Sequence, residues 1–219
     1  EGIPPETVIK TGSSMVEVLK LHEEKFLKSD VLSRLELTKG QFLIVSCHRE
    51  ENVDSESNFQ LFFESLRALA TRYRFPVIVS THPRTRKKME SLGISTDMDP
   101  LIHFMKPLGF FDYIRLQQDA FCVISDSGTI TEESSILGFP AITIRQAHER
   151  PEGMDEGTLI MSGLIPEHVL NAVDTVTSQV REYGPMHKIH DYEADNVSRK
   201  TVRIILSYID YINHTVWRR

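Results

Sequence analysis

Cysteine is nearly absent from this chain of 219 residues: only Cys47 and Cys122 occur, each beside or within an apolar run. Two such positions supply neither a disulfide framework nor a cysteine zinc cluster, and they read as buried free thiols of a reducing compartment, the cytoplasm. Long apolar runs are missing as well. No stretch approaches the ~20 residues that a membrane span needs, and no signal-peptide pattern occurs, so no membrane partner is expected. An excess of basic charge is also lacking, since 25 Lys and Arg face 31 Asp and Glu for a net charge of −6. That balance argues against nucleic acid as a partner, although it leaves room for a local phosphate site. The first residue is Glu1 rather than Met, within what reads as the approach to a strand, and the chain is expected to be a fragment. What is present, 40% hydrophobic and 26% charged residues, describes an ordinary globular protein whose core needs no staples.

Strand and helix patterns alternate along the chain. Val8-Ile9-Lys10 reads as a strand leading through Thr11-Gly12-Ser13-Ser14 into a helical stripe at Met15, Val18, Leu19 and Leu21. Phe42 to Ser46, Pro76 to Ser80, Leu101 to Met105, Phe121 to Ile124, Pro140 to Ile144 and Leu159 to Met161 are further strands. Between them lie helices at 58–73, from Pro83 to Gly93, from Phe110 to Gln118, after Ser127, and from Pro166 to Arg181; the Phe59, Phe62, Phe63 stripe belongs to the core. A last helix spans Glu193 to Asn213. This alternation predicts an α/β fold with a doubly wound parallel sheet, and a division into a Rossmann-like domain, 1–192, and a C-terminal helix, 193–219.

Four polar loops fall at one end of the predicted sheet: Thr11 to Ser14, Cys47 to Asn52, Ser125 to Glu133 and Arg145 to Glu152. Among them, Ser125-Asp126-Ser127-Gly128-Thr129 follows a strand and opens a helix. Backbone N–H groups of Ser127, Gly128 and Thr129 would point out of the helix N-terminus, where free donors and the positive dipole end favour phosphate. Glu132 and Glu133 follow one turn on, within reach of ribose hydroxyls. The competing reading is local: Ser and Asp are good N-caps, and first-turn glutamates suit any helix.

In this order, Thr11-Gly12, Ser46-Cys47-His48-Arg49-Glu50-Glu51-Asn52, Pro107-Leu108 with Asp112-Tyr113 and Leu116, Ser125-Asp126-Ser127-Gly128 with Glu132-Glu133, and Glu149-Arg150-Pro151-Glu152 resemble the non-hydrolysing UDP-N-acetylglucosamine 2-epimerase family. The resemblance covers that family's C-terminal, UDP-binding domain, one Rossmann-like half of a two-domain glycosyltransferase-B-type fold. It implies a UDP-N-acetylhexosamine 2-epimerase that eliminates UDP and adds it back with C2 inverted, needing no cofactor. The carboxylates that handle the C2 proton belong to the family's N-terminal domain, so this chain alone is expected to bind UDP without epimerising, and the full-length protein to be a homodimer. Carried over, Ser127, Gly128 and Thr129 bind the diphosphate, Glu133 the ribose, and Tyr113 packs on uracil. His48 and Arg49 are the catalytic pair beside the diphosphate, His82 is a second family histidine, Arg145 and Arg150 add positive charge, and Gly12 belongs to the binding segment.

The departures are Glu50 where the family often has a second arginine, Ser13 for Asn, Thr129 for Gly and His148 for Thr. The variant His48-Arg49-Glu50-Glu51-Asn52 and the run Ala147-His148-Glu149-Arg150-Pro151-Glu152-Gly153 resemble the branch that forms UDP-N-acetyl-L-fucosamine. A hydrolysing epimerase, a UDP-sugar glycosyltransferase and a non-catalytic nucleotide sensor are the other readings. Individual residues also have plainer roles: His82 as a helix cap before Pro83, Tyr113 as core, Arg145 and Arg150 in ion pairs with Glu149 or Glu152. Arg84, Arg86, Lys87 and Lys88 read as a solvated helix face. His103, His187 and His190 lack metal-ligand spacing, and no metal is expected.

Overall fold

In a computed structural model, which describes residues 2–3, 7–97, 99–147 and 150–218, helices and strands alternate along the chain. In order these are α1 (Met15–Leu27), α2 (Val31–Arg34), β1 (Leu43–Ser46), α3 (Glu50–Val53), α4 (Glu56–Tyr73), β2 (Val77–Ser80), α5 (Pro83–Ser91), β3 (Ile102–Met105) and α6 (Phe110–Asp119). They continue with β4 (Cys122–Ser125), α7 (Ile130–Leu137), β5 (Ala141–Thr143), α8 (Pro151–Asp155), β6 (Ile160–Met161), α9 (Pro166–Tyr183) and α10 (Val197–Thr215). All strand pairs are parallel, in the order β3-β2-β1-β4-β5-β6. The order reverses between β1 and β4, and in such sheets the crevice outside the carboxyl ends of those two strands is where ligands bind.

Strand period explains the two-sided core. Leu43 and Val45 face one way, with Val77, Val79, Ile124 and Ile142, and pack on Phe59, Phe62, Phe63, Leu66 and Leu69 of α4 and Val169 and Val173 of α9. Phe42, Ile44, Ile78, Val123 and Ala141 face the other way, against Leu116 of α6 and Ile130 of α7. Helices cover both faces, so the strands read as continuous apolar runs rather than alternating ones. Both cysteines are buried free thiols.

One predicted strand is absent. Residues 8–10 have no regular secondary structure and no sheet partners, and Val8 and Ile9 are exposed. An edge position beside them would require a neighbouring strand with free N–H and C=O groups, whereas this segment is tied to the C-terminal region by side chains: Lys10 Nζ lies 2.7 Å from Asp191 Oδ1, and Lys200 Nζ donates to the Thr11 carbonyl at 2.8 Å. Two segments read as loops contain short helices, α3 and α8. Along α10 only Val197 is buried, leaving Val202, Ile205, Leu206 and Ile209 exposed. No helix among the described residues is long and apolar enough to cross a membrane.

Candidate functional site

The carboxyl ends of the central strands carry hydroxyls in register. Ser46 of β1 is level with Ser80 of β2 and Ser125 of β4, and Ser125 is level with Thr143 of β5. The Ser46 and Ser125 hydroxyls are 2.7 Å apart, bridging the strands where the sheet order reverses. Because β1 and β2 are adjacent and in register, His48 and His82, each two residues beyond its serine, come together with ring centroids 5.9 Å apart. Ser46, Ser80, His48, His82, Pro107, Leu108, Phe110, Tyr113 and Ser127 line one cleft of about 390 Å³. Of the residues singled out in the sequence, the structure therefore brings His48, His82, Tyr113 and Ser127 into a single concavity, with Phe110 as an addition that periodicity alone did not mark.

Asp126 organises the β1 side of that cleft. It is 0% exposed, and its Oδ2 accepts from the backbone N–H of His48 at 2.9 Å, from that of Arg49 at 2.8 Å, and from Asn52 Nδ2 at 3.2 Å. Its Oδ1 lies 3.0 Å from His48 Nδ1. Burial opposes ionisation of this carboxyl, but the His48 ring and the amides of Arg49 and His48 outweigh it and hold its pKa below the ordinary carboxylate value. Thus Asp126 does not cap α7; it reaches across the switch point to fix the loop after β1. Asn52 is buried for the same reason. The nearby Cys47 thiol is pushed far up, first by burial and then by the Asp126 charge, which leaves it un-ionised and inert as a nucleophile.

The turn into α7 has a different character. The Ser127 N–H donates to Ser125 Oγ at 3.0 Å, and the Ser127 and Thr129 hydroxyls pair at 3.0 Å. No protein acceptor for the amides of Gly128 and Thr129 is found among the described residues, so those two are the donors open to an anion. Behind them Glu133 is nearly buried and takes a hydrogen bond from Gln117 Nε2 of α6 at 2.6 Å. Burial raises its pKa, only partly opposed by hydrogen bonds from Gln117 and Thr129 and reinforced by the charge of Glu132. Glu132 itself accepts from Ser13 Oγ at 2.7 Å and from Arg150 Nη2 at 3.3 Å.

The remaining candidates are tied into this frame. Arg145 is nearly buried with its Nε 3.3 Å from Glu51 Oε1. Among the described residues Arg145 pairs with Glu51 and Arg150 with Glu132, while Glu152 accepts from the Tyr192 hydroxyl at 2.8 Å. His148 and Glu149 lie outside the described residues. Arg150 precedes α8, whose Gly153 is required by close approach: a Cβ there would fall 2.1 Å from Thr131 Cγ2 of α7. Gly12, at φ +96°, faces the C-terminal segment, where a Cβ would meet Val197 Cγ2 at 3.0 Å and Ala194 Cβ at 3.3 Å. It packs the segment that presents Ser13 to Glu132, and it does not line the cleft. His82 accepts from the Arg84 N–H at 3.2 Å through Nδ1, so it caps α5 and lines the cleft at once. Tyr113 likewise packs on the core beneath β1 while facing the cleft, and burial pushes its hydroxyl up to about 12.

Comparisons with known proteins agree in direction. The profile of the UDP-N-acetylglucosamine 2-epimerase family matches residues 1–206. A UDP-N-acetylglucosamine 2-epimerase of Methanococcus maripaludis is 30% identical over 190 residues, which are 84% of this chain and 52% of that protein. Among solved structures, that of a UDP-N-acetylglucosamine 2-epimerase from Rickettsia bellii superposes with a TM-score of 0.89 at 49% identity, covering 100% of this chain and 58% of that one. The Methanocaldococcus jannaschii UDP-GlcNAc 2-epimerase in complex with UDP-GlcNAc and UDP shares the fold, with a TM-score of 0.83 at 24% identity over 94% of this chain and 56% of that one. The chain spans about half the length of the curated relatives it matches.

Proposed function

The chain belongs to the UDP-N-acetylglucosamine 2-epimerase family, and from that premise we propose that it forms the UDP-binding half of an epimerase acting on a UDP-N-acetylhexosamine. The observation that carries this is the cleft at the reversal between β1 and β4, where His48, His82, Tyr113 and the turn at Ser127 meet. Tyr113, Phe110 and Leu108 offer an apolar wall to a flat base. The open amides of Gly128 and Thr129 and the positive end of α7 suit the diphosphate. Glu133 accepts from the ribose hydroxyls. As the bond from C1 to the diphosphate breaks, negative charge grows on UDP, and His48 with Arg49 stabilises it; the same groups release it on re-addition.

No residue here takes the C2 proton in this reading; that base belongs to a second domain, to which α10 forms the strut, and the complete enzyme is a homodimer. Glu50 in place of a second arginine favours the branch that forms UDP-N-acetyl-L-fucosamine. The test is calorimetric titration of UDP, with ADP as control, into wild type and His48→Ala. UDP should bind selectively and the substitution should weaken it about tenfold, the scale of one charge-assisted hydrogen bond. Equal binding of UDP and ADP, or turnover of UDP-N-acetylglucosamine by this chain alone, would overturn the assignment.

A further inference from the structure

We infer that Asp126 is a positioning residue that dictates which nitrogen of His48 carries the proton, leaving Nε2 bare toward the cleft. The two oxygens of this buried carboxylate have separate tasks. Oδ2 is saturated by donors from the loop, the amides of His48 and Arg49 and the side chain of Asn52. Oδ1 makes no hydrogen bond of ordinary geometry and lies 3.0 Å from Nδ1 of the imidazole, with the Cys47 thiol facing the same carboxylate. A carboxylate only accepts, so the contact is favourable when Nδ1 carries the proton. Nε2 is then the nitrogen offered to the cleft, an acceptor in the neutral ring and a donor in the cation. His82 is held in the opposite sense, because its Nδ1 accepts the Arg84 amide and its proton sits on Nε2. Two histidines in matching positions just beyond adjacent strands are thereby given different tautomers, and only His48 can change role by gaining a proton at the nitrogen that faces the ligand.

The geometry makes Asp126→Asn an inverting substitution. With donors converging on the Oδ2 position, the new amide must place its oxygen there. Its NH₂ then occupies the Oδ1 position and donates to Nδ1, which drives the His48 proton onto Nε2. The loop contacts survive while the tautomer is reversed. The consequence for ligand rests on the UDP-binding reading: a neutral ring with Nε2–H can no longer take up a proton at the cleft.

Long-range ¹H–¹⁵N correlation of the histidine rings, at alkaline pH and without ligand, reads the tautomers directly. Wild-type His48 should be protonated on Nδ1 and the D126N ring on Nε2. A wild-type ring protonated on Nε2, or the same tautomer in both proteins, overturns the inference, and the wild-type spectrum decides alone if D126N does not fold. Calorimetry adds the functional arm. D126N should weaken UDP about tenfold in the wild-type background, the scale of one charge-assisted hydrogen bond, and produce no further loss in His48→Ala. An undiminished D126N effect without His48 would mean that Asp126 acts through the loop and not through the ring. Failure of wild type to bind UDP at all would count against the proposed ligand, while the ring spectra would still decide the role of Asp126.

Discussion

Asp126 and Glu133 stand at the two ends of one turn, both buried, and their carboxyl groups are driven in opposite directions: Asp126 below its ordinary pKa of 3.8, Glu133 above its ordinary value of 4.5. Burial acts alike on both, since it penalises the charged form. Partners make the difference. Asp126 is met by two backbone amides, an asparagine amide and an imidazole; Glu133 is met by Gln117 and Thr129, with the charge of Glu132 close by. The first has one oxygen saturated by three donors and holds two loops across the switch point. The second is short of donors in the resting protein, which is what a group reserved for ribose hydroxyls would be.

Breaking the Asp126 cluster should have the largest effect. Asp126→Ala strands the amides of His48 and Arg49 and the Asn52 side chain, and should cost about 3 kcal/mol of folding stability. For a domain of this size that is a fall in Tm of roughly 6–12 °C, measurable by calorimetry. Linkage gives the pH signature. Because the folded pKa of Asp126 is depressed, its contribution is fully present above 3.8 and is lost as pH falls through the lower folded value. The stability gap between wild type and Asp126→Ala should therefore narrow only in strong acid, and a gap that closed near neutral pH would contradict the comparison.

Glu133→Gln sharpens it from the other side. Its folded pKa is raised, so the folded state holds the proton more tightly than the unfolded one, and ionisation costs stability as pH rises from 4.5 through the folded value. The neutral amide removes that cost. At neutral pH Glu133→Gln should be more stable than wild type by about 1 kcal/mol, and the advantage should vanish in acid where Glu133 is protonated. UDP should nevertheless bind about tenfold more weakly, since a neutral acceptor replaces a charged one. Destabilisation with unchanged affinity would show that Glu133 is a structural group like Asp126.

The opposed roles of these carboxylates were only half legible in the sequence. Apolar runs such as Phe42 to Ser46 and Phe121 to Ile124 located the strands because each is covered on both faces, and the stripe of Phe59, Phe62 and Phe63 located α4. Val8 to Lys10 misled because a three-residue apolar approach carries no information about whether a sheet edge lies beside it. Asp126 read as a helix cap because its true partners, His48, Arg49 and Asn52, are brought near only by the pairing of β1 with β4. One signal was available: Ser46-x-His48 and Ser80-x-His82 repeat the same offset from two apolar strands, and parallel neighbours in register must bring such residues together. Glu132 adjoins Glu133 in the sequence and is distinguished from it only by contacts with Ser13 and Arg150, which tertiary packing brings near.

A third carboxylate near the same loop isolates what burial contributes. Glu50, next to Arg49, pairs with Arg84 Nη1 at 2.7 Å, shorter than most contacts of Asp126, yet its side chain is 76% exposed. Water already satisfies both charges there, so the pair gains little and its side chains lose rotamer freedom in making it. Glu50→Gln should leave Tm within about 1 °C of wild type in low salt, with any difference shrinking as salt is added. If this exposed pair proved as costly to break as the Asp126 cluster, distance rather than desolvation would control these interactions, and the contrast between Asp126 and Glu133 would need another cause than the number of donors each can reach.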